Sequence, residues 1–415
     1  MHVPVMMMVE IEDVNDLASI ERGVTKAQRE LPSTAMHEIV RVVETTAENE
    51  DPGRLRRKGT ETRTLWMTCG WARFDRQRYV DTLEGRSYVL FDTRVGLAPY
   101  QRVTAGARAM FADLAAISPS YDASRVEVSL LWGDAPATTA IWAHTQAEGE
   151  ELGAREKALR KAVFVDGDLP GTEMPAKDFV GILTDATALH RWRRKGEHMQ
   201  AHVGMAYDGK RDVGKTRPRR QLTHRVAVAS VEGATVFGQN LFAAAQEAHN
   251  VVEARALLYS SDGDEALEAI RQVHFFRAEH QLDHRHVVSR AYEAYGWEQK
   301  DAARAVLGLV FGERRGMFEE RVRKDMRQLP HRRAKLGEYL DYILQRWDWI
   351  FAARRLRRSR PEGSVPEHIS GTGAEERMVD VLVNHRMKHR GMGWTDDGAA
   401  NMMHVRLRIL GLQTF

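Results

Sequence analysis

The chain has 415 residues, enough for two or three domains that each bury a core. Lys and Arg number 61 against 58 Asp and Glu, a formal net charge of +3, so contact with nucleic acid has to come from local basic clusters rather than bulk charge. The single cysteine, Cys69, excludes an internal disulfide and any multi-cysteine zinc site, and no apolar run reaches the length of a membrane span.

The opening MHVPVMMMVEIEDV is too acidic, and its apolar run too short, for a signal peptide, so a soluble cytoplasmic chain is expected. AMHEIVRVVETTAEN has helical spacing, and the basic DPGRLRRKGTET reads as a linker. From Thr62 to Asp92 the period changes to two, which predicts a small antiparallel sheet. Arg73, Arg76 and Arg78 stand among its aromatics, so the segment is either a folding module or a nucleic-acid clamp. Three helical stretches between Val103 and Lys161, joined by short turns, fit a helix-turn-helix or a plain three-helix packing unit.

Strand patterns return in DFVGILTDATAL, EHMQAHVGMAYDG and QLTHRVAVAS, followed by a helix through ATVFGQNLFAAAQEAHN. Then come a strand in ARALLYSS, a helix in DEALEAIRQ, a strand in VHFFRA and a helix in HRHVVSRAYEAY. The order β-β-β-α-β-α-β-α predicts a mixed α/β sheet with helices on its faces. Residues 297–350 are helical and highly charged, and two further helices follow a Pro/Gly-rich connection. The predicted division is 1–60 (helical and linker), 61–102 (β module), 103–161 (helical DNA-binding region), 178–296 (first part of the α/β core), 297–360 (helical insertion) and 373–415 (closing helices).

GKRDVGKT, Gly209 to Thr216, spells a phosphate-loop motif, but that loop needs a helix to begin at its lysine. A period-two run follows instead, so the string reads as a basic hairpin tip and no nucleotide cofactor is expected.

Three acids stand out by position. Asp185 lies inside an apolar strand, where a carboxylate is costly unless paired, hydrogen-bonded or bound to metal. Asp262 sits where a strand gives way to a turn, with Gly263 permitting tight chain reversal, although Asp-Gly turns are common without function. Asp283 and His286 lie just beyond the next strand, and a helix cap with a surface histidine would look the same. Strand ends that deliver carboxylates to one sheet edge are a common way to hold Mg²⁺. His280, His284 and His286 crowd together, which makes a thiolate-free zinc site a further option. Glu376 arrives later on a helix, one turn before Asp380. The basic clusters nominate Arg191, Arg193, Arg194, Lys215, Arg219, Arg220, Arg386, Lys388 and Arg390 as phosphate contacts.

In combination these segments resemble bacterial insertion-sequence transposases of the ISLre group. NHRMKHRGMGWTDDGAANMMHVRLRIL resembles that family's closing motif. TLWMTCGWARFDRQRYVD with LFDTRVGLAPYQRVTAGAR resembles its N-terminal region, and LLYSSDGDEAL with FFRAEHQLDHRHVVSRA its middle. The likeness covers most of the chain beyond about residue 55.

The resemblance implies an RNase H-like core with a DDE triad: Asp185 as first aspartate, Asp262 as second and Glu376 as the glutamate, Glu375 being the less well aligned neighbour. Asp283 and His286 match a supporting pair, and 297–350 an insertion. It further implies two divalent ions, Mg²⁺ or Mn²⁺, metal-dependent cleavage and joining of DNA ends, and a homo-oligomer on DNA in the bacterial nucleoid. LTDAT and SDGDEAL depart from the family's usual wording around both aspartates. A non-catalytic DNA-binding derivative and a structure-specific nuclease are therefore the competing readings.

Overall fold

A computed structural model describes residues 2–50, 52–214, 219–367, 374–388 and 391–413. The chain forms two compact units, Met1–Glu148 and Gly149–Phe415.

The first unit opens on helix α1 (Leu17–Glu50) and a three-stranded antiparallel sheet, β1 (Leu55–Met67), β2 (Gly70–Asp81) and β3 (Ser87–Val89), in the order β1-β2-β3. β1 begins inside the segment expected to be a linker. Leu55 to Arg57 pair with Asp81 to Tyr79, and a bulge between Arg57 and Gly59 resets the register. The charges that suggested a linker are satisfied across the unit instead, as in Arg57 to Glu48, Nε to Oε1, at 2.7 Å.

Alternation buries Ala72, Phe74, Arg76 and, after Gln77 and Arg78, Tyr79. Arg76, one of the three clamp candidates, is thus turned inward and paired with Asp92, a buried ion pair rather than a nucleic-acid contact. Helices α2 (Leu90–Val95), α3 (Ala105–Ile117), α4 (Tyr121–Trp132) and α5 (Thr138–Lys161) follow. Thr104 and Ser120 cap α3 and α4 by accepting from the backbone N–H groups of Ala107 and Ala123. Ala107, Phe111, Ala115, Val128 and Ile141 make their common core. The division between the units falls inside α5.

The second unit is α/β. β4 (Val180–His190), β5 (His198–Tyr207), β8 (Val226–Ser230), β9 (Leu257–Ser261) and β10 (Glu279–Leu282) form one mixed sheet in the order β10-β9-β4-β5-β8, and a separate hairpin pairs β6 (Gly209–Val213) with β7 (Arg219–Thr223). β4, β5 and β8 run antiparallel, whereas β4, β9 and β10 are parallel neighbours. Parallel strands need crossovers, and the helices α6 (Ala234–His249) and α7 (Glu265–His274) supply them. Val180, Ile182, Val228, Phe237, Leu241 and Tyr259 are the centre of that core.

The phosphate-loop string lies in the β6–β7 hairpin, with Lys215 and Thr216 outside the described residues. β10 is EHQL, not the expected VHFFRA. There Phe275 and Ala278 are buried in the turn after α7, while the strand holds His280 and Gln281. Gln281 donates to the Ile350 carbonyl at 3.0 Å and accepts from the Ala353 N–H at 2.9 Å, so this polar strand is satisfied by chain 69 and 72 residues downstream.

Helix α8 (His284–Tyr295) packs with α9 (Lys300–Phe311), α10 (Arg315–Gln328) and α11 (Arg333–Gln345) around Phe318, Leu336 and Ile343, and the short α12 (Ala352–Arg358) follows. The closing segment runs from α13 (Ala374–Val379) through a π-helical turn, Asp380–Asn384, into α14 (His385–Met387), and α15 (Asp396–Ile409) follows. The buried Arg406 donates to the carbonyls of Val381 and Leu382, which holds α15 against that turn. Among the described residues no helix is long and apolar enough to cross a membrane.

Candidate metal centre

β9 ends beside the middle of its parallel neighbour β4, where their pairing stops with Leu183 opposite Ser260, so the residues just past that register deliver side chains to one sheet edge. Carboxyl ends of parallel strands are where open α/β sheets bind ligands. Asp185 projects from β4 just past that register, and Asp262 follows the last residue of β9. β10 ends in register with β9, Leu282 opposite Ser261, and the Asp283 N–H donates to the Ser261 carbonyl at 2.9 Å. Asp283 then caps α8, and the first turn of that helix brings in His286.

Ligand atoms of Asp185, Asp262 and His286 all lie within 4.8 Å of one another. Among the described residues they are the three-ligand set able to hold a metal ion. Burial pushes the Asp185 carboxyl up to about 6; the Ala186 N–H and His286 work against this, and Asp262 and Asp283 reinforce it. The Ala186 N–H donates to Asp185 Oδ1 at 2.7 Å. Asp283 is buried, and its Oδ2, 3.7 Å from His286 Nε2, has no hydrogen-bond partner.

The turn that carries Asp262 is held from the helical insertion. Tyr342 donates its hydroxyl to the Asp262 carbonyl at 2.8 Å, and Arg346 donates to the Gly263 carbonyl at 3.1 Å. Gly263 has φ of +84°, the conformation its turn requires. Behind the turn, Ser261 Oγ lies 2.9 Å from His280 Nε2, and His280 Nδ1 lies 2.8 Å from Glu268 Oε2. His280 and His284 face these partners and the Ile350 carbonyl, away from the three-ligand set, so the histidines do not gather into a zinc site. Tyr342, Arg346 and Glu268 carry no local sequence signal for these roles, because each acts through long-range contact.

Glu376 is not in the three-ligand set. Its carboxylate pairs with Arg285, the residue before His286, from α13, which packs on β4. The side chain of Glu375 lies outside the described residues.

The basic candidates divide. Arg193 and Arg194 are exposed in the β4–β5 turn, and Arg191 pairs with Asp396 at 2.6 Å. Lys388 is exposed and donates to the Thr187 hydroxyl of β4. Arg386 is 2% exposed, with its guanidinium 5.5 Å from the Trp394 ring centre, so it anchors the closing segment and is withdrawn from the phosphate contacts. Lys215 and Arg390 lie outside the described residues, as do the side chains of Arg219 and Arg220 in β7.

Comparison of the chain with protein-family models and with curated proteins returns no match.

Proposed function

We propose that this chain is a divalent-metal-dependent phosphoryl-transfer enzyme acting on DNA, an RNase H-like transposase of the kind its sequence resembles. The observation that carries the reading is the convergence of Asp185, Asp262 and His286 where the parallel strands β9 and β10 end beside β4. The sheet supports it as well, with three antiparallel strands first in the chain and two parallel ones added beside the strand that holds the first acid.

The residues fit a hard cation. Two carboxylates and an imidazole face a common point, and the Asp283 Oδ2 lacks a partner beside them. Asp185 titrates high for a carboxyl, the strain that a bound cation relieves. Asp185, Asp262 and His286 would hold Mg²⁺ or Mn²⁺, which when bound activates an attacking oxygen and neutralises a phosphate. Three ligands suit one ion; the second ion implied by the resemblance would draw on Glu376 once its carboxylate leaves Arg285. Tyr342 and Arg346 fix the Asp262 turn, and Asp283 caps the first turn of α8, which presents His286. Exposed Arg193, Arg194 and Lys388 would contact phosphates on either side of the centre, with two copies of the chain bridging two DNA ends.

The experiment is DNA cleavage by the full chain in Mg²⁺ or Mn²⁺, wild type against Asp262→Asn, with binding to the same DNA measured in parallel. Loss of cleavage by at least about a thousandfold with binding retained is expected. Wild-type protein that binds DNA but never cuts, with Asp262→Asn indistinguishable from it, would leave a non-catalytic DNA-binding protein as the account.

A further inference from the structure

The strand that carries Asp185 continues past the sheet edge into a built, basic turn. β4 and β5 stay paired out to His190 and His198, whose ring centres lie 4.6 Å apart at a tilt of 45°, and Arg191 to Glu197 close the hairpin. Arg193 takes a φ of +57°, and the Arg191 N–H donates to the Glu197 carbonyl at 3.0 Å. The closing segment grips this turn from outside. The Trp192 N–H donates to the Trp394 carbonyl, and the Trp394 N–H to the His190 carbonyl, each at 2.9 Å. A Cβ on Gly393 would lie 3.0 Å from the Trp192 Cα, so the approach is close.

At the apex Trp192 is 54% exposed, although tryptophan is normally the most profitable side chain to bury. The Arg193 guanidinium lies 5.5 Å from the centre of its ring, and Arg194 and Lys195 follow. An exposed indole on a backbone anchored by two inter-segment hydrogen bonds and flanked by cations is a stacking platform for a base whose neighbouring phosphates meet those cations.

We propose that Trp192 stacks on an unpaired base of the DNA strand held at the metal centre, with Arg193 and Lys195 on its phosphates. The inference rests on the DNA-processing reading. From Asp185 to Trp192 is seven residues of mostly extended chain, on the order of 20 Å. That is about six base-pair steps of B-form DNA. Lys388, hydrogen-bonded to Thr187, lies along the same stretch of β4 and continues the basic path. The hairpin therefore marks where the duplex opens beside the site of reaction, and an aromatic wedge there holds the opened base.

The test measures binding of the full chain to a fluorescent 20-nucleotide oligo-dT and to a blunt 20-base-pair duplex, for wild type, Trp192→Ala and Trp192→Phe. Because the ring is exposed, thermal melting of both variants should match wild type. Expected is a loss of about tenfold or more for Trp192→Ala on oligo-dT, less than about twofold on the duplex, and near wild-type binding for Trp192→Phe. Unchanged oligo-dT affinity in Trp192→Ala, or equal loss on both probes, overturns the stacking role and leaves the DNA reading standing. A wild-type chain that binds neither probe overturns both.

Discussion

Asp185→Asn should make the metal-free protein more stable above pH 6 while disabling its metal centre. The Asp185 carboxyl titrates at about 6 in the folded chain against an ordinary value of 3.8, chiefly through burial and with Asp262 and Asp283 adding repulsion. Because the folded value is raised, folding is unpenalised below about pH 4, and stability falls as pH rises towards 6. At about 1.4 kcal/mol per pH unit the full penalty at pH 8 is about 3 kcal/mol, and water at this half-buried position trims it to about 1–3 kcal/mol. An asparagine carries no charge to desolvate, and its amide can donate to Asp262. For a unit of this size the gain corresponds to a rise of about 2–6 °C in Tm at pH 8, and almost none at pH 4. Calorimetric melts of the two chains in chelator at both pH values measure it. A variant less stable than wild type at pH 8, or equally shifted at both pH values, would refute the electrostatic reasoning.

Arg76→Ala should destabilise the first unit by about 2 kcal/mol in a urea melt, below the usual cost of breaking a buried ion pair, because Arg63 remains 2.7 Å from Asp92. An unchanged midpoint would mean that the pair contributes nothing. Glu268 is held at about 2, well below the carboxylate range, mainly by His280 and Arg271 against its burial. That stability is present above about pH 4.5 and is lost as pH falls through 2, so Glu268→Gln should flatten the acid limb of a stability–pH curve. Unaltered acid unfolding in that variant would contradict the assignment.

The succession of strands and helices along the second unit and the position of Asp185 are both legible in the chain because they follow from local rules. Three apolar runs in succession can pair as neighbours, and an acid in the middle of VGILTDATAL has few inexpensive explanations. Asp262 is legible through the SSDGD turn, where the glycine is required. β10 is misplaced for the opposite reason, since Gln281 and His280 look like loop residues until Ile350, Ala353 and Glu268 are there to bond them. His286 rather than Glu376 joins the two aspartates, and no spacing reveals that. It depends on the direction in which α8 leaves β10 and on Arg285 engaging Glu376. Arg386 shows the same limit: a basic string looks like a binding surface until Trp394 folds over one member of it.

Titration of Mn²⁺ into the full chain at pH 8 by isothermal calorimetry tests most directly whether Asp185, Asp262 and His286 form a divalent-metal centre. Saturable binding is expected in wild type, weakened by about a hundredfold or more in Asp262→Asn and by about tenfold or more in His286→Ala. No saturable binding in wild type, or the same affinity in all three proteins, would contradict it.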